Sequence, residues 1–163
     1  MSWDRRYSNT YFYGTVSFLG SVSLPAGMLY NSHIATLAAI DAEKVVQQRS
    51  IVVATSGTVA TFRRAVLRAT GAGEVVGFSA GSRVVCIGDS TVTVDLLKNG
   101  TTMLSSVITL DSSNVAYTGE DGTVSVASFV ADDILEINVV ATVGTGTLAV
   151  DFFTHLVINE TAG

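Results

Sequence analysis

The stretch that decides the fold is Val92-Thr93-Val94-Asp95-Leu96-Leu97-Lys98-Asn99-Gly100-Thr101-Thr102-Met103. Val92, Val94 and Leu96 share one parity with Thr93 and Asp95 between them, the period of two that makes one face of a strand apolar. The run stops at Asn99-Gly100, two residues that both tolerate a positive φ and so suit a two-residue hairpin turn. The same grammar recurs outward from there. Leu135, Ile137 and Val139 alternate, as do Leu148, Val150, Phe152, Leu156 and Ile158. Turn-forming residues separate the runs at 71–73, 88–90, 98–100, 111–114, 119–122, 131–133 and 144–146.

Val and Thr supply 43 of the 163 residues, and β-branched side chains suit a pleated surface better than a helix. About eight short strands with a turn every ~8–12 residues predict a mainly β chain, an antiparallel β-sandwich or jelly roll, over 51–163. The stretch 58–69 reads two ways. Val59, Phe62 and Val66 fit a helical stripe, but Thr58, Val59, Thr61 and Val66 are β-branched, which selects a strand.

Upstream the pattern changes. Residues 1–30 are expected to form an arm and a first strand, the strand carried by Val16, Phe18, Val22 and Leu24 and ended by Pro25-Ala26-Gly27. One short N-terminal helix is expected over 31–48, capped by Asn31 or Ser32, with Ile34, Leu37, Ala38, Asp41 and Val45 at helical spacing. Seven of the thirteen aromatic residues fall in the first thirty positions. Trp3, Tyr7, Tyr11, Phe12 and Tyr13, with Arg5 and Arg6, do not compose a solvated tail, which would be poor in aromatics. This arm is expected to be bound to the protein's own body, to a sister subunit or to a foreign surface.

Composition narrows the function. Charged residues are 14% of the chain against a typical ~25%. Hydrophobic residues are 48%, and the mean hydropathy is +0.47. No apolar run approaches the ~18 residues of a membrane helix, and the N-terminus lacks the apolar core of a signal peptide. Synthesis in a host cytoplasm and no membrane partner are therefore expected. The surplus apolarity implies either a large all-β core or burial against other subunits.

The net charge of −5 hides a split: residues 1–88 hold eight basic and four acidic groups, and residues 89–163 hold Lys98 against ten carboxylates. Folding either segregates these into a basic and an acidic face or mixes them in one domain.

Few residues offer chemistry. Gly71-Ala72-Gly73-Glu74-Val75-Val76-Gly77 and Gly144-Thr145-Gly146-Thr147-Leu148-Ala149 fit dinucleotide-loop spacings, but strands rather than phosphate-facing helices follow both. Cys86 lies in the apolar run Val84-Val85-Cys86-Ile87 and reads as an inert core thiol. His33 and His155 are too isolated to serve as a catalytic base, and His155 reads as a surface or interface residue. Glu120-Asp121 and Asp132-Asp133 sit in expected acidic turns, where calcium or glycoside chemistry is the sharper and solvation the plainer reading. Arg63, Arg64 and Arg68 could meet phosphates with Arg5 and Arg6, but an isoelectric point near 4.8 makes nucleic acid an improbable partner. No cofactor, metal or catalytic residue is expected.

The run from Val92 to Ser112, then Gly122-Thr123-Val124-Ser125, Asp132-Asp133-Ile134-Leu135-Glu136-Ile137 and Gly144-Thr145-Gly146-Thr147-Leu148, resembles the small jelly-roll proteins of tailed-bacteriophage virions, capsid decoration or cement proteins among them. Ile34-Ala35-Thr36-Leu37-Ala38-Ala39-Ile40-Asp41-Ala42-Glu43-Lys44-Val45 resembles a run met in the same proteins. The resemblance spans residues 30–158. It implies a non-enzymatic structural protein on the capsid exterior, a trimer whose partner is the major capsid protein. Trp3, Arg5, Arg6, Tyr7, Tyr11, Phe12 and Tyr13 would then be the protein-interface residues, a composition typical of interface hot spots. The alternatives are a tail-fibre or receptor-binding module that holds a glycan, and a small glycosidase with an acid pair such as Glu120 and Asp133.

Overall fold

A computed structural model describes residues 46–161. Ten strands follow one another: β1 (Val46–Ala54), β2 (Phe62–Arg68), β3 (Gly73–Val84), β4 (Thr91–Lys98), β5 (Thr101–Thr102), β6 (Ile108–Leu110), β7 (Gly119–Asp121), β8 (Ser128–Phe129), β9 (Ile134–Thr142) and β10 (Val150–Thr161). They form two five-stranded sheets, one ordered β1-β10-β3-β7 with β8 also on β3, the other β2-β9-β4-β5 with β6 also on β4. All pairings are antiparallel.

The order has a simple origin. β1 pairs with β10, β2 with β9, β3 with β7 and β8, and β4 with β5 and β6, so the chain is one long hairpin of nested pairs. Rolling that hairpin over itself adds the β10–β3 and β9–β4 ladders. Successive arms thereby alternate between the sheets, which is a jelly-roll sandwich. The turn at the centre of the nest is Asn99-Gly100, with φ of 50° and 85° and Lys98 paired directly to Thr101, the two-residue hairpin its sequence demands.

The core is the set of inward parities. Val92, Val94, Leu96, Leu135, Ile137, Val139, Leu156 and Ile158 are wholly buried, as their alternation requires. Thr154 shares that inward parity and is equally buried. Two bulges adjust the pattern: Val66 is an extra residue in β2 and Val76 in β3. The second lets Val75 and Phe78, three positions apart, both face inward.

Several expectations change. Residues 46–48 are strand, not the end of a helix, because β1 begins at Val46 and Val46-Gln47-Gln48 pair with Thr161, Glu160 and Asn159. The sandwich thus begins before residue 51. The rest of that helix, the strand expected near 15–24 and the arm lie outside the described residues. Gly119-Glu120-Asp121 is strand β7, not a turn, since Ser79, Ala80 and Gly81 of β3 supply a ladder for it. The stretch 58–69 is extended as expected, with β2 starting at Phe62 and Thr58 bridged to Val150.

Candidate interaction surface

The antiparallel topology brings the segments 55–61, 85–90, 111–118 and 143–149 to one end of the sandwich, and backbone hydrogen bonds lace them. Val59 donates to the carbonyl of Ala149 and Ile87 to that of Thr147, while Tyr117 ties 111–118 to the Ser82 carbonyl of β3, each at 2.9 Å. The Asp89 carboxylate accepts from the backbone and the hydroxyl of Thr145, which hold its pKa below the ordinary carboxylate range. This contact needs Gly144 and Gly146. A Cβ on Gly144 would fall 2.0 Å from Asp89 Oδ1, and one on Gly146 would fall 1.8 Å from the Ile87 carbonyl. The dinucleotide-like spacing at 144–149 is therefore a close-packed loop contact leading into β10.

On this rigid end stand apolar side chains that face solvent. Ile87, Val115, Tyr117 and Val143 are 57%, 64%, 73% and 69% exposed. Tyr117 has a φ of 63°, a backbone state that a bulky residue adopts only where its surroundings hold it there. The preceding turn is fixed by its own polar groups, Asn114 Oδ1 accepting from Asp111 N at 2.5 Å and Asp111 Oδ1 accepting from Ser113 N at 2.8 Å. A strained, well-anchored turn that presents a tyrosine is what an adhesive contact needs, because little ordering remains to be done on binding. Sequence reading missed this surface. Val115, Tyr117 and Val143 stand beside turn residues in the sequence and Ile87 ends an apolar run, but nothing in the sequence brings the four together.

The chemistry considered from the sequence resolves into structural roles. Cys86 is buried, and burial raises its thiol pKa. His155 is exposed on the outer face of its sheet, as expected, 2.6 Å from Ser50 Oγ. Asp132 pairs with Arg68 at 2.7 Å. Asp133 accepts from Val130 N and Asn99 Nδ2, which together lower its pKa. Glu120 and Asp121 lie on β7, apart in sequence and element from that turn. Among the described residues no cluster of three His, Cys, Asp or Glu groups has the arrangement of a metal site.

The arginines are equally committed. Arg63 pairs with Glu136 at 2.5 Å, Arg83 with Asp151 at 2.6 Å, and Arg49 with Glu160 at 2.8 Å, while Arg64 lies 5.5 Å over the Phe62 ring. Lys98 donates to the Ser128 carbonyl. The described basic groups are thus dispersed into local contacts instead of gathered to grip phosphates.

A shallow depression of about 480 Å³ opens elsewhere, lined by Val46, Ala72, Gly73, Glu74, Ser128, Asn159 and Thr161. The interface residues expected in the arm, Trp3, Arg5, Arg6, Tyr7, Tyr11, Phe12 and Tyr13, lie outside the described residues.

No family model and no curated protein matches the chain. Among solved structures, that of infectious bursal disease virus Gt strain is similar at 12% identity and a TM-score of 0.38, over 89% of this chain and 37% of that one. Desmodium yellow mottle tymovirus is similar at 11% identity and a TM-score of 0.34, over 95% of each chain. This chain spans little more than a third of the first chain's length.

Proposed function

We propose that this protein is a structural, non-enzymatic component of a phage virion that decorates the capsid exterior and bridges coat subunits, as a trimer. The observation that carries the reading is the rigid end of the jelly roll, where Ile87, Val115, Tyr117 and Val143 are held in solvent. Apolar and aromatic groups on a pre-ordered frame favour binding to another protein surface. The sparse charge of the chain and its resemblance to small virion jelly rolls support the same reading. The aromatic and arginine residues of the arm, from Trp3 to Tyr13, are proposed as a second anchor on the coat or on a sister subunit.

The test is light scattering on the purified chain, followed by mixing with empty capsids and pelleting. The expected result is a mass three times the 17.0 kDa of one chain and co-sedimentation with shells. A Tyr117→Ser, Val115→Ser variant should keep its fold and lose at least tenfold in shell affinity. A wild-type chain that stays in the supernatant would overturn the proposal.

One observation favours a second reading. Glu74, Ser128, Asn159 and Thr161 around the depression offer the donors and acceptors that sugar hydroxyls need, as in a receptor-binding module. Saturable binding in a glycan titration, with and without calcium, would move the function there.

A further inference from the structure

Among the described residues the two sheets end in several edge strands, and they are treated differently. β2 puts Arg63, Arg64 and Arg68 into seven residues and adds a bulge at Val66. β5 and β8 have two residues each, and β6 and β7 have three. Charge, bulges and brevity are the devices by which sheets keep their edges from pairing with other chains. β1 is neither short nor bulged. It runs for nine residues, Val46-Gln47-Gln48-Arg49-Ser50-Ile51-Val52-Val53-Ala54, and pairs with β10 without a register shift. It contains neither proline nor glycine. Its one charge, Arg49, is turned back onto Glu160 of its own sheet at 2.8 Å.

We propose that β1 is a strand-pairing edge and that its partner is β1 of a second copy, antiparallel across a two-fold axis at Ser50. The backbone parity fits. Thr55 N donates to the Phe152 carbonyl at 2.9 Å, and hydrogen-bonded pairs alternate along an antiparallel ladder. Hence Gln47, Arg49, Ile51 and Val53 spend their amides on β10, while Val46, Gln48, Ser50, Val52 and Ala54 aim theirs at the edge that no described strand pairs. An axis at Ser50 sets every outward residue against another outward residue: Ser50 on Ser50, Gln48 on Val52, Val46 on Ala54. That register forms about ten new backbone hydrogen bonds.

The side chains agree with a second copy as occupant. The axis places Arg49 opposite Ile51, so the strand meets itself with no like charges in register. Val46 and Val52, 61% and 63% exposed, gain cover from Ala54 and Gln48. An isologous two-fold contact closes on itself and needs no other partner. It involves neither the apolar loops nor the arm, so it stands whether or not the chain binds a coat.

Sedimentation velocity of the full chain across a concentration series tests this. The wild type should show a species of twice the mass of the unit present at low concentration, so that the proposed trimer would pass to a hexamer through its three β1 edges and a single chain to a dimer. Val52→Pro removes an outward amide without touching the β10 ladder, and Val52→Lys puts a charge on the edge; both should stay at half that mass with unchanged circular dichroism. If the proline variant unfolds, the lysine variant decides. Ser50→Cys reads the register, because Cys86 is buried and the introduced thiol should be the one that oxidises to a covalent dimer. No doubling in the wild type, doubling that survives Val52→Lys, or a Ser50→Cys chain that doubles without cross-linking would each overturn the proposal.

Discussion

Thr154 shows how much a single inward position decides. It lies on β10 between Phe152 and Leu156, opposite Val53 on one neighbour and Ala80 on the other, all of them buried. Its methyl group belongs there and its hydroxyl does not, for Oγ1 is buried without a hydrogen-bond partner among the described residues. Valine keeps the branched shape that a strand favours and removes the stranded oxygen. Thr154→Val should therefore stabilise the sandwich by about 1–3 kcal/mol, the cost of an unsatisfied buried hydroxyl. Urea denaturation measures it, and a destabilised variant would mean that the hydroxyl has a use in the core.

At the scale of elements, the strands were legible where one face is apolar and obscure where a neighbour makes the strand. Val92 to Leu96, Leu135 to Val139 and Leu156 to Ile158 declared themselves by period, and Asn99-Gly100 declared the turn between arms. Gly119-Glu120-Asp121 has no apolar alternation, and becomes β7 because β3 offers it a ladder. Val46-Gln47-Gln48 becomes strand for the same reason, against the C-terminal end of β10. The candidate surface was hidden because its residues come from separate loops, and only the topology gathers them. The loops also assign the glycines different duties. Gly146→Ala would drive a Cβ to 1.8 Å from the Ile87 carbonyl, whereas nothing lies within 4 Å of a Cβ on Gly77. The first should cost about 1–3 kcal/mol, as overpacking does, and the second should change stability by less than about 0.5 kcal/mol, as a substitution away from such contacts does. Equal unfolding midpoints for the two variants would show that the loops do not hold each other.

Over the whole described body, the split between a basic first half and an acidic second half disappears by construction. Each of the four ion pairs, Arg49–Glu160, Arg63–Glu136, Arg68–Asp132 and Arg83–Asp151, joins a base before residue 89 to an acid after it. Nesting β1 on β10 and β2 on β9 lays the early chain against the late chain, so early bases are paired with late acids and the surplus of carboxylates remains. Glu160 is the most buried of these acids. Burial acts most strongly on it and raises its pKa, but hydrogen bonds from the Thr70 and Gly71 amides, from Arg49 and from the Thr70 hydroxyl outweigh burial and leave it lowered. Glu136, held chiefly by Arg63, and Asp133, held chiefly by the Val130 amide, are lowered too. A carboxyl lowered in the fold takes up its proton later than in the unfolded chain, so the unfolded state binds more protons as the solution is acidified. Its stabilisation is thus complete above the unfolded value, about 4.3 for glutamate, and is lost as pH falls through the lower, folded value. The protein should lose stability steadily below pH 5. Glu160→Gln should cost roughly 1–3 kcal/mol at pH 7, because it removes a charged acceptor from buried amides, and should cost less as the pH drops toward 3. Denaturation midpoints of both chains across that range decide the matter: converging curves place the acid sensitivity at the clasp between β10 and residues 70–71, and parallel curves would remove Glu160 from it.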